Sequence, residues 1–176
     1  RKMLWKQAIR RIVLGGVLMI GVCGGGAAQS QEQTKDWTAC TGSSDLQEQL
    51  DSCTRVLRRE PSNALAFYYR GNAHLAKGEN DPAIADYTQA IRLNPKEAFS
   101  FYGRGLAHAA KREHEHAIAD YNEAFRLAPK NIDILKNRAQ EHRRYYDESD
   151  LAIADFSELI RLDPNNPAHY KARAEL

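Results

Sequence analysis

The chain has 176 residues, 43% of them hydrophobic and 27% charged, with 11 Gly and 6 Pro. That balance excludes a disordered or fibrous chain and fits a single soluble globular or solenoid domain. The formal charge of +2 misleads, because Arg1, Lys2, Lys6, Arg10 and Arg11 give the first 28 residues +5 with no acid, and everything after Ala28 carries −3; a basic nucleic-acid-binding body is excluded, and no nucleic acid is expected as a partner.

Residues 1–28 have the three parts of a secretory signal peptide. A basic stretch ends at Arg11, an apolar run follows from Ile12 to Val22, and Gly26 and Ala28 satisfy the small-x-small rule for cleavage before Gln29. About eleven apolar residues at 1.5 Å rise fall short of a hydrocarbon core about 30 Å thick, so no stable membrane insertion is expected after signal removal. Arg10-Arg11 fits a twin-arginine signal or an ordinary basic leader, and Val22 stands where a lipoprotein motif around Cys23 wants a small residue. The expected location is therefore periplasmic or secreted. Export leaves Cys40 and Cys53 as an even pair in an oxidising compartment, and a disulfide between them is expected to contribute about 2–3 kcal/mol. Two free thiols, with Cys53 filling an apolar site, are the alternative.

From Gln29 to Lys35 the sequence is polar and aperiodic, which predicts a mobile tether; with Trp37 to Cys40 it forms an N-terminal tether and cap segment over 29–43. Ser44 and Gln47 read as a capping box, after which Leu50, Cys53, Val56 and Leu57 recur at helical spacing. Counted back from Pro61, this helix is the second half of a degenerate first repeat over 44–61 whose first helix is missing. The exposed edges at both ends of such an array motivate a rival expectation, self-association as a structural repeat protein.

The repeat itself is explicit. Ala83 to Pro95 returns 34 residues later as Ala117 to Pro129, and 35 residues after that as Ala152 to Pro164. A period of this size marks stacked supersecondary units, here over 62–95, 96–129 and 130–164, with 165–176 as a capping helix or the start of a further repeat. In the first full unit Asn63 caps a helix to about Lys77. Asp81 is expected to cap the next, with Pro82 at its first position, and the helix stops before Asn94-Pro95. The second helices are expected to bury Ala83, Ile84, Tyr87, Ala90 and Ile91, then Ala117, Ile118, Tyr121, Ala124 and Phe125, then Ala152, Ile153, Phe156, Leu159 and Ile160. Gly71 and Gly105 fall where a helix passes close to its partner, with Ala83, Ala117 and Ala152 on the facing side. Arg70, Arg104 and Arg138 precede Asp86, Asp120 and Asp155 by 16, 16 and 17 residues, which predicts an Arg–Asp ladder fixing the stacking register.

An aromatic, Gly, Ala, an aromatic, Ala and Pro fall on Phe67, Gly71, Ala83, Tyr87, Ala90 and Pro95, and again on Phe101, Gly105, Ala117, Tyr121, Ala124 and Pro129. This 34-residue helix–turn–helix unit resembles the tetratricopeptide repeat from about Ser44 to Leu176; in the fourth copy Ala139 replaces Gly and Leu159 replaces Ala, while Phe156 and Pro164 hold their positions. Export with a cysteine pair ahead of the repeats is similar to small exported tetratricopeptide proteins of Gram-negative bacteria. The resemblance implies an all-α solenoid, a right-handed superhelix of stacked antiparallel helix pairs, and a non-catalytic scaffold binding a protein or extended peptide on its concave face. Carried over by repeat position, the peptide-binding residues are Leu65, Tyr68, Asn72, Leu75, Phe99, Tyr102, Leu106, Lys136, Gln140, Arg143 and Arg144. Such a groove is apolar at one end and cationic at the other, and suits a peptide with hydrophobic residues and a carboxylate. Tyr68 and Tyr102 replace the basic position of the carboxylate clamp, so a co-chaperone-like adaptor would have to work without it.

No catalytic arrangement is present: there is no Gly-rich phosphate loop, no G-x-S-x-G and no cysteine with a plausible base, and the chain is not expected to be an enzyme. His74, His108 and His142 share one repeat position and read as packing residues. His114-Glu115-His116 offers two candidate ligands and no evident third, so neither a metal nor another cofactor is expected.

Overall fold

Apolar residues recurring every three or four positions, punctuated by Pro and Asn, leave one stripe per helix to bury, and stacking the helices in pairs buries it. The computed structural model describes residues 29–145 and 149–176. Among these are nine α-helices and no strand: α1 over residues 29–42, α2 Leu46–Arg59, α3 Ala64–Ala76, α4 Asn80–Leu93, α5 Ala98–Ala110, α6 His114–Leu127, α7 Ile132–Tyr145, α8 Ser149–Leu162 and α9 Pro167–Ala174. Each helix packs on its neighbour in sequence from α2 onward, and α3 also touches α5, the pattern of an all-α solenoid. The leader assigned to residues 1–28 and the longer turn around Tyr146 and Asp147 lie outside the described residues. No described helix is long and apolar enough to cross a membrane.

The N-terminal segment differs from its sequence reading. Residues 29–35 are helical, not a tether, and α1 occupies the place of the missing first helix. It runs antiparallel to α2: Asp36 receives Nε of Arg55 at 2.8 Å and Nη2 of Arg59 at 2.6 Å, and Gln49 Nε2 donates to the Cys40 carbonyl at 2.9 Å. Cys40 and Cys53 meet across the pair with Cα atoms 4.6 Å apart, within the range a disulfide spans. They form a cluster with Val56, Leu57 and Ala66, flanked by Trp37, Phe67 and Tyr69. The N-terminal edge that motivated self-association is thus covered.

Two helix starts also shift. Asp45, not Ser44, caps α2, its carboxylate accepting from Gln47 N and Glu48 N. An ionised carboxylate there satisfies two orphan donors and complements the helix dipole, which the Ser44 hydroxyl does less well. α4 begins at Asn80 behind Glu79, so Asp81 lies inside the first turn and caps nothing. Asn63 caps α3 as expected, and Asn166 caps α9.

The central repeats are held by two devices. The first is the ladder: Arg70 contacts both oxygens of Asp86 at 2.8 and 2.7 Å, Arg104 those of Asp120 at 2.8 and 2.7 Å, and Arg138 those of Asp155 at 3.1 and 2.5 Å. The third nitrogen of each guanidinium reaches back to the preceding repeat, at Thr54, Thr88 and Asn122. Each planar fork therefore ties a helix pair together and joins it to its predecessor. Arg173 repeats the backward contact, on Ser157.

The second device is the buried tyrosine. A Cβ on Gly71 would lie 3.0 Å from the Tyr87 ring, one on Gly103 of the next repeat 2.5 Å from the same ring, and one on Gly105 2.7 Å from the Tyr121 ring. The atoms nearest such a Cβ are mostly ring atoms and not the facing alanines; the Ala117 carbonyl, 3.3 Å from a Cβ on Gly105, is where the expected contact shows. In the last repeat Ile153 is 38% exposed and Ile134 is fully buried instead.

Candidate functional site

The first helices α3, α5 and α7 carry the residues expected to bind peptide, and the structure divides them into two groups. Leu65 and Phe99 are 48% and 47% exposed, and Lys136, Arg143 and Arg144 are also exposed. Tyr68, Asn72, Leu75, Tyr102, Leu106 and Gln140 are half-buried. Several of these serve the scaffold. Asn72 Oδ1 accepts from the Tyr87 hydroxyl at 2.7 Å. Tyr68 packs on Tyr69 and Tyr87, and Tyr102 packs on Tyr121 while its hydroxyl accepts from Asn137 Nδ2 at 2.9 Å. Burial pushes the Tyr68 and Tyr102 phenols above the ordinary tyrosine range, so these two side chains stay uncharged.

At the other end Lys136, Gln140 and Arg143 come together with Asn166 and His169 around a cleft of about 170 Å³, floored by Phe156, Ala168 and Ala172. His169 is buried, and its Nε2 has no hydrogen-bond partner within the protein; the nearest carboxylate oxygen, on Asp163, is 3.6 Å away. A buried ring nitrogen without a partner is costly unless something completes it. Arg143 also leans toward Glu175 at 3.5 Å. Nothing within 165–176, read as a capping helix or the start of a further repeat, singles out His169 beyond its position two residues after Pro167, at the start of a further first helix.

The histidines are not simple packing residues. His74 Nδ1 meets Glu79 Oε2 at 2.6 Å, His108 Nδ1 meets Glu113 Oε2 at 2.6 Å, and His142 Nδ1 meets Asp155 at 3.1 Å. Of His114-Glu115-His116 only His116 joins a possible ligand group, and its companions come from outside the motif: one ligand atom each from His108, Glu113 and His116 lie within 4.8 Å of one another. They stand at i, i+5 and i+8 across the α5–α6 turn, a spacing that joins two helices and that a single-helix period does not reveal. His114 turns away, to Glu141 at 2.9 Å.

Residues 71–112 match the family model of the TPR repeat and residues 100–131 that of the tetratricopeptide repeat. No curated protein matches the chain in sequence. Among solved structures, a crystal structure of MamA protein superposes with a TM-score of 0.74 at 19% identity, covering 82% of this chain and 80% of that one. The Arabidopsis OM64 TPR domain gives 0.58 at 24% identity over 64% of this chain and 92% of that one. The first TPR of Spaghetti (RPAP3) bound to an HSP90 peptide, SRMEEVD, gives 0.59 at 22% identity, with 64% and 88% covered. At these identities the likeness is one of fold.

Proposed function

We propose, on the premise that this chain is a tetratricopeptide-repeat protein, that it is a non-catalytic scaffold of the cell envelope that holds an extended peptide from a protein partner on its concave face. The observation that carries this reading is the cleft beside Lys136, Gln140 and Arg143, into whose lining the unpartnered His169 is built. Cationic side chains with donor groups in a small concave space suit a carboxylate of the peptide. The exposed Leu65 and Phe99 supply apolar contact farther along the face. One neighbour in fold, the first TPR of Spaghetti, is solved with a peptide bound, so peptide holding lies within the reach of this architecture.

The envelope setting rests on the leader, and the cysteine pair agrees with it: Cys40 and Cys53 are placed to oxidise where the compartment allows. Protein recovered from the envelope fraction of an exporting host should begin at Gln29 and show no free thiol by intact mass. Used as bait, it should recover its partner about tenfold less well when Phe99→Ala or Arg143→Glu is introduced. Both side chains are exposed, so neither change disturbs the buried rings. Undiminished recovery by both variants removes the groove reading.

A further inference from the structure

The α5–α6 turn contains a group of side chains that peptide binding does not use. We propose that His108, Glu113 and His116 form a binding site for a divalent zinc-type ion, with a fourth coordination position left open. Two imidazoles and one carboxylate select zinc, or another borderline transition ion, over calcium and magnesium, which want oxygen ligands throughout. In a tetrahedral zinc site neighbouring ligand atoms lie about 3.3 Å apart, since each sits about 2.0–2.1 Å from the metal. Here they lie within 4.8 Å of one another, with His108 Nδ1 and Glu113 Oε2 at 2.6 Å. The metal would open that contact slightly and draw in His116, which is exposed.

The surroundings support the same assignment. The His108 and His116 rings already stack, with centroids 5.1 Å apart. With Nδ1 on the metal, the His108 hydrogen moves to Nε2, which faces the Asp120 carboxylate at 4.0 Å. That carboxylate is fixed by Arg104; at 4.0 Å it is too far to accept a hydrogen bond from His108, and it favours the Nε2–H tautomer only through its charge. Lys111 Nζ lies 2.6 Å from the other Glu113 oxygen, and Asp81, 2.7 Å from the same ammonium, offsets its charge.

The preceding repeat is a built-in control. His74 and Glu79 meet at the same 2.6 Å, and Lys77 sits 3.0 Å from Glu79, but Pro82 stands where His116 does. The His–Glu contact therefore belongs to the repeat, and His116 alone turns it into a three-ligand set.

Titrating the full chain with zinc chloride by calorimetry, and with cobalt chloride by visible absorption, should give one equivalent bound, with the d–d bands of a nitrogen- and oxygen-ligated ion. His116→Ala should weaken binding at least tenfold without changing the melting curve. Pro82→His should raise the stoichiometry to two equivalents by completing the control site. Excess magnesium or calcium should not compete. The proposal is overturned if the unmodified chain binds no zinc at millimolar concentration, or if His116→Ala binds it within twofold of the unmodified affinity.

Discussion

The pair α1–α2 and the repeat α3–α4 occupy one grid of positions, offset by 34 residues, with opposite fillings. Asp36 stands where Arg70 does and Ser52 where Asp86 does; Trp37 takes the place of Gly71, and Cys53 that of Tyr87. In the repeat the first helix supplies the base and the second the acid. In the N-terminal pair the acid is on α1, and Arg55 and Arg59 reach it from α2, while Arg55 also holds the Ser52 hydroxyl at 2.8 Å. The sizes are exchanged as well: a Gly faces a large buried ring in the repeat, whereas large Trp37 packs against the cluster of the small Cys53 in the pair. The geometry thus constrains what meets across each contact, a buried acid with its base and a large group with a small one, more than which helix supplies it.

The two arrangements differ in how well they shelter the base, and that yields the largest expected effect. The Arg104 side chain is 22% exposed and Asp120 7%, so Asp120→Ala would strand a mostly buried guanidinium and should cost about 3 kcal/mol or more in urea unfolding. Arg55 and Arg59 are 43% and 34% exposed. After Asp36→Ala they can turn to water, and the loss should be nearer 1 kcal/mol. Equal losses would break the comparison and make the reversed pair as demanding as the ladder.

The exchange of volumes gives the next effect. A Cβ on Gly105 would lie 2.7 and 2.8 Å from the Tyr121 ring and 3.3 Å from the Ala117 carbonyl. Gly105→Ala should therefore cost about 1–3 kcal/mol through overpacking, and Gly71→Ala, at 3.0–3.2 Å from Tyr87, should fall at the low end. Gly42 at the end of α1 has nothing within 4 Å of such an atom, and Gly42→Ala should be neutral or slightly stabilising in the same thermal melt. A Gly105→Ala protein that melts with the unmodified chain would mean the ring has room to move.

The same contrast explains what could be read from the residues alone. The helices α3 to α8 were legible because each carries an apolar stripe, and the ladder because Arg and Asp recur at a fixed separation. α1 was not, because ion pairs through Asp36 and a cysteine contact fix its register, and its other faces are polar. Repeat position was enough to place Leu65, Phe99, Lys136 and Arg143 on the exposed surface of the first helices. It does not show that Tyr87 and Asn137 engage Asn72 and Tyr102, because those partners lie on other helices. The groups around His116 and His169 were not legible, because each is assembled from more than one helix and spacing within one helix does not show which residues meet.

The smallest expected effect isolates the reversed pair by acid. Burial raises the Asp36 pKa, but the hydrogen bonds and charges of Arg55 and Arg59 outweigh it and leave the group below its ordinary 3.8. A carboxylate with a depressed folded value stabilises the structure fully above the unfolded value, and that stabilisation is lost as pH falls through the folded one. The N-terminal pair should thus hold firm above about pH 4 and loosen progressively below it. Trp37 reports this locally: its ring meets Tyr69 edge-on at 6.3 Å, and it is the one tryptophan after Gln29. Its fluorescence should shift below pH 4 before the helical circular dichroism of the repeats falls. In Asp36→Asn that early shift should disappear, because the side chain has no charge left to neutralise. An unchanged early shift in Asp36→Asn would mean that acid acts on this region through another carboxylate, and that the reversed ion pair does not govern how α1 is held.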